Sequence, residues 1–137
     1  MREAVNEAID TNVVLRLVTG EPAALADAAR ALLERAESRG DRLLVSDLVI
    51  AESFHALRHH FGVPAERAAA HLAALLNDPA VAGEAAADLL AAPDMAVEPP
   101  GFMDRLILAH AARHGATLRT FDTRLAALPG TERLRAR

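Results

Sequence analysis

The stretch Val5-Asn6-Glu7-Ala8-Ile9-Asp10-Thr11-Asn12-Val13-Val14-Leu15 passes from a short strand, 5–9, through a polar turn into an apolar segment of helical length. Strand, turn and helix in that order is the opening of an α/β fold. The alternation continues downstream. Gly20-Glu21-Pro22 breaks the first helix, and Ala23 to Arg39 forms a second, with Leu25, Ala28, Ala29, Leu32, Leu33 and Ala36 at helical spacing and Gly40 as its stop. Leu43-Leu44-Val45 reads as a short buried strand. Asp47 to Phe61 is a helix ended by Gly62-Val63-Pro64, and Ala65 to Leu76 is another, ended by Asn77-Asp78-Pro79. Glu84 to Ala92 predicts a short helix, and Pro93 to Gly101, with prolines at 93, 99 and 100, is too rich in breakers to be regular throughout. Phe102 to His114 is helical, Thr117 to Thr120 a strand, and Thr123 to Leu128 a last short helix before Pro129-Gly130. Strands separated by helices, with no hairpin signal, predict a three-layer α/β/α arrangement with a short, mainly parallel sheet covered on both faces.

At 137 residues the chain predicts one domain over 1–137, large enough to bury a core unaided. Cysteine is absent, which excludes disulfides, thiolate metal sites and cysteine nucleophiles. No apolar run approaches the roughly 20 residues that span a bilayer, and Met1-Arg2-Glu3 lacks the layout of a signal peptide, so a cytoplasmic protein is expected. The net charge of -4 argues against a surface that is basic throughout, and leaves room for a local basic patch. Every cationic side chain is Arg, so chemistry that needs an ammonium group has no residue to supply it.

Four acids stand where chemistry can use them. Asp10 and Asp122 each follow a predicted strand, and ligands of open parallel sheets bind outside the carboxyl ends of the strands. Each is equally able to cap the helix after it. Glu52 lies two turns into its helix, on the side of Leu48, Val49 and Ala56, with both helix faces expected to be buried. A carboxylate so placed needs an Arg or a cation. Asp104, in a first helical turn, shares a face with Ile107, Leu108 and Ala111 and is expected to point toward the core. Four carboxylates gathered at one sheet edge repel unless a cation lies among them, and their oxygens select hard ions such as Mg²⁺ or Mn²⁺. Thr11, Asn12 and Thr120 adjoin Asp10 and Asp122 and could orient those carboxylates or water.

The runs Ala8-Ile9-Asp10-Thr11-Asn12-Val13-Val14-Leu15, Val45-Ser46 with Ala51-Glu52, Gly101-Phe102-Met103-Asp104-Arg105-Leu106-Ile107 and Leu118-Arg119-Thr120-Phe121-Asp122 together resemble the four acid-bearing motifs of PIN-domain ribonucleases. The likeness is nearest to the VapC-type toxins of bacterial toxin–antitoxin pairs and runs in order along essentially the whole chain. It implies a PIN-like fold and Mg²⁺- or Mn²⁺-dependent endonucleolytic cleavage of RNA, with Asp10, Glu52, Asp104 and Asp122 as catalytic and metal-binding acids. It also implies a homodimer and a small protein antitoxin. Family members often carry an acid where this chain has Gly101 and a small residue where it has Met103, departures that bear on substrate choice.

Other constellations fare less well. Glu52 and His55 form one Glu-x-x-His, but the second copy that a di-iron bundle requires is missing, so His55 is read as a surface or groove residue. The pairs His55/His59 and His110/His114 lack the Glu of a His-Glu-x-x-His zinc site and are read as chance spacing on solvated faces. An aspartyl-phosphate enzyme would want a Lys, and no Gly-rich phosphate loop is present. Arg105, Arg119 and Arg124 lie near two of the acids and suit RNA phosphates, while Arg133, Arg135 and Arg137 form a basic tail expected to fray. A catalytically inactive PIN-like module that binds RNA or protein is the alternative, and it would be expected to have lost an acid.

Overall fold

A computed structural model describes residues 4–137; Met1-Arg2-Glu3 lies outside the described residues. β1 (Ala4–Ala8) is followed by α1 (Thr11–Thr19) and α2 (Ala23–Arg39), then by β2 (Asp41–Val45). Next come α3 (Asp47–His59), α4 (Ala65–Leu76) and β3 (Val81–Gly83). The three strands form a parallel sheet in the order β1-β2-β3, with Leu43 opposite Val81 and Ala8 opposite Leu44. Two crossovers of paired helices therefore build the sheet, as parallel strands require. α2 packs on β2 and α4 on β3, and Val14, Leu43, Val45, Ile50, Leu57, Leu72 and Val81 fill the space between.

Glycine marks the first two helix ends as the sequence predicts. Gly20 closes α1 at φ 73° and Gly40 closes α2 at φ 70°, left-handed positions where a Cβ would be strained. Ser46 opens α3 by accepting the Val49 N–H at 3.2 Å.

The second half is less regular. α5 (Ala85–Leu89) and α6 (Pro93–Ala96) are short, and α7 (Phe102–Arg113) packs mainly against α5. β4 (Leu118–Thr120) pairs in parallel with β5 (Thr131–Arg133), across a 3₁₀ turn at Leu125–Ala127, as a separate two-stranded sheet.

Two expectations change here. β1 lies at an edge with residues 5–8 exposed, so the sheet is not covered on both faces along its whole width. β3 and β5 carry too few residues to show a period, and β5 holds Arg133 in a ladder where a frayed tail is expected. The segment 93–101 is helical over its first four residues and, as expected, not regular throughout.

One core polar group is unmatched. Ser53 in α3 is fully buried, and its Oγ has no hydrogen-bond partner among the described residues. Burying a hydroxyl without a partner costs about 1–3 kcal/mol, and Ala is the better helix former. Ser53→Ala should therefore raise stability by about 1 kcal/mol in urea unfolding. A loss of stability would show that the hydroxyl is satisfied.

Candidate active site

The polar turn after β1 becomes the first turn of α1. Asp10 accepts the Val13 N–H on Oδ1 at 3.1 Å and so caps the helix, with the rest of the carboxylate exposed. One residue on, the Thr11 hydroxyl donates to Glu52 Oε1 at 2.9 Å, joining segments 41 positions apart. α1 and α3 are packed together, and the bond crosses between them. It turns Glu52 into a groove of about 450 Å³ that Thr11, Leu48, Ala51, His55, His60 and Met103 also line.

Glu52 is exposed, and Leu48 beside it is 70% exposed, so this face of α3 opens to water rather than into a core. The apolar cost that was expected to demand an Arg or a cation at Glu52 is absent; its partner is a hydroxyl. Asp104 is half-buried at the start of α7, one residue after Met103 of the same groove. The buried face of α7 is that of Phe102 and Leu106, while Ile107 is 53% exposed, so Asp104 stands at the margin and not toward the core.

Asp122 follows β4, and its Oδ1 accepts the N–H groups of Arg124 at 2.8 Å and Leu125 at 2.9 Å. Its own N–H donates to the Thr120 hydroxyl at 3.0 Å. Thr11 and Thr120 thus each touch an acid's segment. Asn12 instead lines a second groove, between α1 and α2, with Val13, Arg16 and Leu25.

The arginines are differently placed. Arg105 donates from Nε to the Glu98 carbonyl at 2.9 Å and from a terminal nitrogen to that of Pro99 at 2.8 Å. Arg119 pairs with Glu132 across the β4–β5 ladder at 2.9 Å. Arg124 is exposed.

The donor type, carboxylate oxygen, suits a hard divalent cation. The spacing does not: among the described residues, no three His, Cys, Asp or Glu side chains stand close enough to hold a metal ion together. The structure brings Glu52 to the Asp10–Thr11 turn, sets Asp104 next to Met103 of the same groove, and ties Asp122 to the turn that follows β4.

Sequence reading missed a fifth acid. Asp47, the first residue of α3, is buried; Oδ1 accepts the Ala86 N–H at 2.8 Å, and Oδ2 meets Nδ1 of His110 at 2.7 Å. Its own N–H donates to Glu84 Oε1 at 2.9 Å. The signal was present in the helical spacing, since Asp47 shares a face with Ile50, Ala51 and Phe54. His110 is therefore not a chance histidine on a solvated face but one half of a built pair.

The PIN domain family matches residues 8–130, nine-tenths of the chain and all four acid-bearing motifs. The chain belongs to the PIN domain family. PIN domains are generally nucleases. Neither the comparison with curated proteins nor that with solved structures finds a match. Among the described residues of this PIN domain no helix is long and apolar enough to cross a membrane.

Capping and chemistry can be separated at Asp10. Asn caps a helix about as well as Asp, whereas Ala leaves the Val13 N–H without its partner. Asp10→Asn should keep wild-type stability to within a few tenths of a kcal/mol, and Asp10→Ala should lose about 1 kcal/mol in chemical denaturation. Equal stabilities for the two variants would show that the cap contributes nothing.

Proposed function

We propose that this PIN domain is an endoribonuclease whose reaction centre is the groove between α1, α3 and the start of α7. The observation that carries the reading is the Thr11–Glu52 hydrogen bond, which joins the first and second acid motifs at the end of the sheet. In the proposed reaction a water oxygen attacks the phosphorus, the P–O3′ bond breaks, and the products carry 5′-phosphate and 3′-hydroxyl ends. Glu52 is held by Thr11 through one oxygen and has the other to accept a proton from that water. Asp10, fixed through Oδ1 by its cap, offers its second oxygen in the same turn. Arg124 is the internal arginine proposed to meet RNA phosphate, since the guanidinium groups of Arg105 and Arg119 are engaged.

A requirement for Mg²⁺ or Mn²⁺ belongs to this proposal. It is supported by the carboxylate donor set and by membership of the family, and not by the spacing of the acids, so no step is routed through the ion. Action as the toxin of a toxin–antitoxin pair, with a protein antitoxin and a homodimeric state, rests on the sequence resemblance alone. The α1–α2 groove, about 430 Å³ and flanked by the half-exposed Leu25, is apolar surface that a partner segment would cover.

Glu52→Gln and Asp10→Asn should each abolish cleavage of a mixed-sequence RNA, measured on a gel with and without EDTA. Thr11→Val should slow it by about 10-fold while the protein stays folded. Full cleavage by Glu52→Gln, or cleavage that persists in EDTA, would overturn respectively the reaction centre and the metal requirement. An RNA that binds the wild type and is never cut would favour the inactive binding module.

A further inference from the structure

We infer that the Asp47–His110 pair is a positioning device for the groove: it fixes α7 on α3 and so sets where Asp104 stands relative to Glu52. The inference rests on the nuclease reading for its consequence, but not for its geometry. α3 and α7 run antiparallel, because Asp47 at the start of α3 meets His110 near the end of α7, while Phe54 further along α3 stacks on Phe102 at the start of α7 with ring centroids 4.3 Å apart. These two ties bracket the two acids. Glu52 lies between residues 47 and 54 on one helix, and Asp104 lies between 102 and 110 on the other.

Between the ties the helices diverge around a groove of about 300 Å³, where Leu48 and Ile107 are more than half exposed. Leu106, which is buried, and Ala51 line this groove too, and α7 packs on α5 as well, so the ties at Phe102 and His110 are the specific links of α7 to α3 at the two ends of their shared face. The aromatic stack alone is non-directional and permits sliding, whereas a 2.7 Å hydrogen bond from His110 Nδ1 to a carboxylate whose other oxygen is already bonded does not. Asp47 is itself immobile, since its other oxygen and its N–H are bonded to Ala86 and to Glu84. The His110 ring, half-exposed, meets this carboxylate through Nδ1. The other charged or titratable groups at this end are Glu84, already bonded to Asp47, the Asp88–Arg113 pair at 3.8 Å, and His114, whose ring lies 5.0 Å from that of His110.

A purely cohesive contact would be served as well or better by an apolar pair. A polar pair with a single allowed geometry specifies one arrangement of the helices. A displacement of about 1 Å at a reacting group can cost about 100-fold in rate, so the device has leverage on the reaction without touching RNA.

The test compares His110→Asn, whose amide can donate to Asp47 from nearly the position of Nδ1, with His110→Leu, which cannot. In RNA cleavage His110→Leu should lower kcat by about 10- to 100-fold with KM changed less than about two-fold, and His110→Asn should recover most of it. Because the chain has no cysteine, Leu48→Cys/Ile107→Cys carries a spin-label pair cleanly, and dipolar broadening reports the α3–α7 gap without any activity. The distance distribution should widen in the His110→Leu background and stay narrow with His110→Asn. Unchanged distributions in both, or equal kcat for the two variants, would overturn the proposal. If Glu52→Gln still cleaves while the distributions behave as expected, the reaction centre is wrong and the positioning device stands. Should His110→Leu fail to fold, the wild-type and His110→Asn distributions still decide: a broad one in wild type defeats the inference.

Discussion

A carboxylate shut away from water must have its lone pairs filled, and at Asp47 they are filled from two other helices. The arrangement is reciprocal. Asp47 at the start of α3 accepts an N–H from the first turn of α5, and Glu84 just ahead of α5 accepts the first N–H of α3. Each helix start supplies the acceptor for the other's unsatisfied donor, so the two termini define each other's position. A five-residue helix such as α5 has little stability of its own. Its packing against α7, and the bond from His110 to the same carboxylate, make Asp47 the point where α3, α5 and α7 are brought into one register. The candidate groove lies along two of those three helices.

Asp10 and Asp122 obey a related constraint with a different outcome. Each spends one oxygen on the N–H groups of the turn or helix that follows, which fixes the carboxylate in space without burying it. Helix capping and chemistry are often posed as rivals for such a residue. Here the cap fixes Asp10 in an exposed position, while its neighbour Thr11 bonds to Glu52 of α3. Asp122 is held as firmly at the end of β4, which pairs with β5. The same local geometry thus recurs at two strand ends.

How far these features are legible in the sequence depends on the kind of signal that carries them. The bounds of α2 and α4 can be read to the residue because Pro22, Gly40, Pro64 and Asn77 punctuate them, and punctuation is a local backbone property. β3 and β5 cannot, since three residues hold no period and their existence depends on partners far along the chain. The faces of α3 and α7 are misread for another reason. Each helix carries a large apolar residue on its open side, Leu48 near Glu52 in α3 and Ile107 near Met103 in α7, and apolar spacing assigns such a residue to the core. Asp10 and Asp122 announced themselves by following strands, but whether the four acids converge is tertiary information. Asp47 was hidden by its position, because an acid in a first turn already has an explanation in the helix dipole.

The third acid motif shows how a local backbone demand can alter a site. Gly101 precedes α7 at φ 110°, a region that L residues with a Cβ rarely adopt, so an acid of the kind often found at this point in the family would be strained here. α7 consequently begins without a side-chain cap, and Arg105 of its first turns anchors it by gripping the carbonyls of Glu98 and Pro99 in the preceding loop. Met103, where relatives often have a small residue, adds apolar surface to the groove beside Glu52. Gly101 and Met103 together place a left-handed backbone position and apolar surface, rather than charge, on either side of Phe102 at the start of α7.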